Sequence, residues 1–176
     1  MMQRREFATV DEVKILFTSL KTAAEAAQSA VRTLVSTSSA LEVLEAIKFQ
    51  RIGRDPLDTN RELNLIEQVN QTFTCLVTVR ALEYLFWAHP ESAPFRINPA
   101  TAPGSDICSE DGAIAAECFA ATHPGSNQKL KKDTAKVRDT TAVHRYVFFY
   151  CPGDHEAQEL DGVKVIPLGL GNRDST

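Results

Sequence analysis

The sequence predicts an α/β fold in which a sheet is flanked by helices and preceded by an N-terminal helical layer. Three observations predict it. Apolar residues recur at three- and four-residue intervals through the first half of the chain, and short β-branched and aromatic runs dominate the second half. A lysine-rich helical stretch interrupts those runs. At 176 residues the chain is long enough to bury its own core without a metal or disulfide staple. Its composition, 43% hydrophobic and 24% charged, sets aside the disordered and fibrous classes.

Val13, Leu16, Phe17, Leu20, Ala24, Ala27, Val31 and Leu34 mark one face of an amphipathic helix. The hydroxyls of residues 36–39 offer caps, and Leu41, Leu44 and Ile47 continue a second helix as far as Gly53. Residues 54–60 hold Pro56 and several side chains that compete for backbone hydrogen bonds, so the domain boundary is expected there. This gives an N-terminal helical segment at 1–58, a core at 59–170 and a tail at 171–176.

From Arg61 an increasingly apolar pattern predicts a long central helix that stops before His89 and Pro90. Pro90, Pro94, Pro99 and Pro103 then forbid helix and leave residues 95–98 as a strand. Residues 105–108 and 113–120 read as two strands around a Ser109-Glu110-Asp111-Gly112 hairpin turn. A helix begins near Ser126, with Leu130 and Val137 on its buried face. Residues 144–151 and 162–169 complete the sheet as apolar strands.

Several classes are excluded or left without support. A net charge of −4 argues against a binder driven by overall charge, though not against a local basic patch. Cys75, Cys108, Cys118 and Cys151 show no CxxC spacing, and no signal peptide precedes them, so reduced thiols in a soluble cytoplasmic protein are expected. No apolar run approaches the roughly 18 residues that a membrane span needs. His89, His123, His144 and His155 have no spacing that supports a zinc site, and neither a Gly-rich phosphate loop nor a Ser-His-Asp order is legible.

The stretch GSDICSEDGAIAAECF places Asp106 and Glu117 on consecutive strands. Strand alternation puts Ala113, Ala115, Glu117 and Phe119 on one face, and a carboxylate in such apolar company must be paired, hydrogen-bonded or metal-bound. A long helix, a three-strand meander, a second helix and a returning strand, with Asp106 and Glu117 so placed, resembles the PD-(D/E)XK nuclease superfamily. The resemblance covers about Asn60 to Gly169 and implies a restriction-endonuclease-like mixed sheet. It departs from the family at Phe119, where the motif Glu-x-Lys has lysine, and at Gly104-Ser105, where proline usually stands.

The resemblance implies a magnesium-dependent phosphodiesterase in which Asp106 and Glu117 hold the cation and Glu67 on the long helix is a further metal ligand. The missing lysine would come from the following helix. Lys129 and Lys131 flank Leu130 by about 100° on either side and are the candidates, while Lys132 points away. Lys132, Lys136 and Arg138 are then expected to touch nucleic acid. The implied partner is nucleic acid, DNA ahead of RNA; apart from the resemblance, no membrane is expected, and the N-terminal helices are the expected seam of a homodimer. Phe119 favours an alternative on the same fold, a catalytically inactive module that binds nucleic acid or protein. Each candidate has a plainer reading: Asp106 as a turn residue, Glu67 as an exposed helix glutamate, and the lysines as solvated surface.

Overall fold

The computed structural model describes residues 5–98 and 104–170. In chain order the elements are β1 (Arg5–Phe7), α1 (Val10–Thr37), α2 (Ala40–Phe49), β2 (Gly53–Arg54), β3 (Glu62–Leu63), α3 (Leu65–Ala88), β4 (Phe95–Ile97), β5 (Ile107–Ser109), β6 (Ile114–Ala120), α4 (Lys129–Arg138), β7 (His144–Tyr150), β8 (Gln158–Leu160) and β9 (Val163–Pro167). Two compact units divide the chain: Lys14–Leu76 form one, and the segments up to Val13 and from Val77 onward form the other. The division does not follow the expected boundary at 58, and residues 54–60 lie inside the first unit. The tail at 171–176, with Pro99 and Pro103, lies outside the described residues.

In the Lys14–Leu76 unit, helix starts are set by reciprocal caps. Ser39 begins α2, and its N–H donates to the Glu42 carboxylate at 2.8 Å. Asn64 and Glu67 do the same at α3, where the Glu67 N–H donates to Asn64 Oδ1 at 2.8 Å and the Asn64 N–H to Glu67 Oε2 at 3.3 Å. Residues 54–60 are a built loop. The buried Asp55 accepts from the Leu57 and Asp58 amides and pairs with Arg61 at 3.0 Å. Buried Gln68 clamps this loop to α1, accepting from the Arg54 N–H at 3.0 Å and donating to the Ala23 carbonyl at 3.2 Å. Position 53 must be small, because a Cβ there would stand 2.5 Å from Gln68 Oε1.

The other unit carries a seven-stranded mixed sheet in the order β1-β4-β5-β6-β7-β9-β8. The successive pairs β1–β4, β4–β5 and β5–β6 are antiparallel, β7 is parallel to both β6 and β9, and β8 returns antiparallel on β9. Both faces of the centre are covered, so β6 is buried from Ile114 to Phe119. On one face Phe119, Val147 and Phe149 pack with Val137 and Leu130 of α4. On the other, Tyr146 and Phe148 meet Tyr84 of α3 at ring distances of 6.0 and 5.3 Å. The expected helices and the strands at 95–98, 105–108, 113–120, 144–151 and 162–169 are all present. β1, the β2–β3 pair and β8 were not expected; none exceeds three residues, too short for a periodic signal. Residues 126–128 form a 3₁₀ turn, so α4 starts after Gln128, not at Ser126.

Candidate functional site

The site forms where β5 ends its pairing with β6. Regular pairing reaches Ile107 opposite Ala116, and there two side chains replace the ladder. The Asp106 N–H donates to Glu117 Oε1 at 3.1 Å, and the Cys118 N–H donates to Asp106 Oδ2 at 2.8 Å. Each carboxylate is thus fixed by the backbone of the other's strand. Asn98 holds the incoming chain, donating its amide N–H to the Asp106 carbonyl at 2.9 Å and its side chain to the Ser105 carbonyl at 2.6 Å. Gly104 permits the approach with a φ of 111°, a region that disfavours side chains. Asp106 and Glu117 are therefore adjacent, as expected, and they stand in the middle of the sheet order.

Glu117 is only 2% exposed, and its second oxygen accepts from Lys136 Nζ at 2.8 Å. At about 100° per residue, Lys129, Asp133 and Lys136 share one flank of α4, while Leu130 and Val137 face the sheet. Lys129 Nζ lies 2.9 Å from Asp133 Oδ1; Asp133 is buried, and its Oδ2 has no hydrogen-bond partner among the described residues. Two ammonium groups therefore stand among three carboxylates.

Burial sets the titration of this cluster. Desolvation, joined by repulsion from Asp106, pushes the Glu117 carboxyl up to about 7 despite Lys136. Desolvation likewise raises Asp106, against the pull of the Cys118 N–H and the two lysines, and raises Asp133 against Lys129. Burial is the largest single influence on Lys129 and works to lower it, but the hydrogen bond to Asp133 together with attraction to Asp133, Asp106 and Glu117 outweighs it and the ammonium is favoured.

The structure redistributes the expected roles of the lysines. Lys136, expected to meet nucleic acid, instead holds Glu117. Lys129 reaches the acidic flank, but through Asp133. Lys131 lies on the opposite flank of the helix, beside Leu160 and Asp161, and does not join the cluster. Lys132 is exposed, as expected of a residue pointing away, and Arg138 is tied to Asp139 at 2.9 Å. Glu67 uses its carboxylate in the cap of α3, and among the described residues no three His, Cys, Asp or Glu side chains are grouped so as to hold a metal ion. Asp133 was missed. Its signal was the Lys129, Asp133, Lys136 spacing of four and then three residues, which places all three on one helical flank.

Phe119 is 2% exposed and stacks on Phe149 with ring centroids 5.6 Å apart. It shares its face with Glu117 but belongs to the core beneath α4.

No family model, curated protein or solved structure matches the chain. Among the described residues no helix is long and apolar enough to cross a membrane.

Proposed function

We propose that the sheet-bearing unit is a restriction-endonuclease-like module that acts on nucleic-acid phosphodiesters through Asp106, Glu117 and Lys136. The observation that carries this reading is the Lys136 to Glu117 contact of 2.8 Å. It brings to the acidic pair, from the following helix, the ammonium that the Glu-x-Lys motif would carry at position 119. The element order supports the reading too, with α3, the antiparallel β4, β5 and β6, then α4 and a parallel β7.

Magnesium commonly binds through one or two carboxylates, with water and substrate phosphate completing its shell. Asp106 and Glu117 suit that role, and the surplus carboxylate of the cluster favours a cation. When bound, such a cation would polarise the scissile phosphate and acidify a water. Lys136 would stabilise negative charge developing on the phosphoryl oxygens. Glu117, with its carboxyl near 7, would hold or release a proton at neutral pH. Lys132, exposed beside this flank, would contact the backbone of DNA in the first instance. We place the protein in the cytoplasm, where its four free cysteines stay reduced, and as a homodimer through the N-terminal helices, where Val35, Leu41 and Leu44 are exposed.

The test is incubation of the protein with single- and double-stranded DNA and with RNA in magnesium or manganese. Metal-dependent cleavage that disappears in Asp106→Ala and Glu117→Ala is the expected result. Binding without cleavage selects the second reading, an inactive nucleic-acid-binding module, which the buried phenyl ring of Phe119 at the position of the motif lysine favours. Neither binding nor cleavage would overturn both.

A further inference from the structure

Helix α2 is apolar on both of its sides. At about 100° per residue, Val43, Ala46 and Ile47 share the inner side, where Ala46 is buried and the other two are half-buried. The opposite side carries Leu41, Leu44 and Phe49, which are 79%, 63% and 69% exposed. One exposed leucine is ordinary, but a short helix with three large apolar side chains turned to water has the pattern of an element covered all round. The chain supplies that cover on the inner side alone. Two charges stand in the middle of the outer side: Glu45 and Lys48 lie about 30° to either side of its centre line, with Leu44 at one border and Phe49 at the other. Glu42, the remaining charge of α2, is used in the Ser39 cap. Glu45 and Lys48 have no ion-pair partner among the described residues, and the Lys48 ammonium lies 5.2 Å from the centre of the Phe49 ring.

We propose that the outer side of α2 packs antiparallel on the α2 of a second copy, about a two-fold axis level with the Ala46–Ile47 peptide. Glu45 then meets Lys48 of the second copy, and by symmetry Lys48 meets its Glu45, so a single contact forms both ion pairs. The two Leu44 side chains line one border of the seam and the two Phe49 rings the other. Charge order selects this occupant: the outer side, reversed end for end, presents lysine where it had glutamate, so the helix is its own complement. A parallel pair fails, because it sets glutamate against glutamate and lysine against lysine. A helix this short is about 15 Å long and buries less than a standard interface, so a dissociation constant of about 1–100 µM is expected. The proposal rests on the homodimer reading of the N-terminal helices, assigns its seam, and is independent of the nuclease reading.

Sedimentation equilibrium of the full chain from about 1 to about 500 µM tests it. The wild-type chain is expected to be dimeric at the upper end. Leu44→Gln, Glu45→Lys and Lys48→Glu are each expected to weaken the dimer about tenfold, since two-fold symmetry doubles every change, with urea midpoints measured on monomer near wild type because all three side chains are exposed. An equimolar mixture of the Glu45→Lys and Lys48→Glu chains is expected to recover wild-type affinity, because each variant then faces opposite charges on the other. Monomer throughout the range overturns the seam and the homodimer reading together. A dimer indifferent to the three substitutions, or one weakened by them without recovery in the mixture, overturns the seam and leaves the homodimer reading standing.

Discussion

Lys136 of α4 donates to Glu117 Oε2 at 2.8 Å while the Asp106 N–H occupies Oε1 at 3.1 Å. The glutamate is therefore held from a helix and from a neighbouring strand at once, and its charge state is tied to both. An ion pair with one partner 2% exposed and the other 45% exposed is asymmetric: removing the lysine leaves a buried carboxylate, whereas removing the glutamate leaves an ammonium that water can solvate.

Lys136→Met keeps the apolar stem of the side chain and removes its charge. Under the nuclease reading it is expected to lower metal-dependent cleavage about a hundredfold or more, with Lys131→Met near wild type. The Glu117 carboxyl should titrate above its wild-type value of about 7, because its largest favourable partner is gone. Carbon-detected NMR titration of Glu117 checks this independently of activity. An unmoved titration would show that the pair does not persist in solution.

The raised Glu117 carboxyl also fixes a pH dependence. Its folded value of about 7 lies above the ordinary 4.5, so the folded state binds the proton more tightly than the unfolded chain. That contribution is complete below about 4.5 and is lost as pH rises through about 7. Asp106 and Asp133, raised by burial, act in the same direction. Urea denaturation between pH 5 and 8 should show stability falling as pH rises, with a markedly flatter profile in Glu117→Gln. Parallel profiles for the two proteins would remove Glu117 as the source.

Phe119→Lys places an ammonium at the position of the missing motif lysine, yet it is expected to destabilise and not to improve any activity. Phe119 packs in an apolar cluster and stacks on Phe149, so the substitution buries a charge and forfeits an aromatic pair. A cost of about 3 kcal/mol or more is expected, read as a lower denaturation midpoint. A stable, more active variant would show that the space beside Glu117 is open to a second lysine.

In the Lys14–Leu76 unit, Gln68→Leu keeps the volume and leaves the Arg54 N–H and the Ala23 carbonyl without their partner. A loss of about 2–4 kcal/mol is expected, with faster hydrogen exchange at the Arg54 amide. Exchange at Arg54 equal to wild type would show that the clamp does not hold the loop.

Strand alternation in residues 113–120 and the apolar company of Glu117 were enough to read its burial and its nearness to Asp106. The lysines were harder. Periodicity tells which side chains share a helical flank, and Leu130 identifies the buried face, but nothing local tells which flank turns toward the acid pair. Lys129 and Lys131 are equivalent by that criterion, and only the packed helix separates them. Glu67 was legible and misread: Asn64 three residues before it is the signature of a capping box, which gives the carboxylate structural employment. β1 was not legible, because its three residues have no period and its partner β4 is distant in sequence.

That last separation bears on how the protein is made. Arg96 bonds Glu6 across 90 residues of chain, so β1 can join its sheet only after the whole helical segment between has been synthesised. Closing so long a loop is slow compared with forming the β4–β5 and β5–β6 pairs, and β1 should dock among the last elements. Until it does, β4 presents an unpaired row of amides and carbonyls to any other extended chain. A nascent or partly unfolded molecule is therefore open to strand-swapping at β4, and the short, charged β1 serves the mature protein as the cover for that edge.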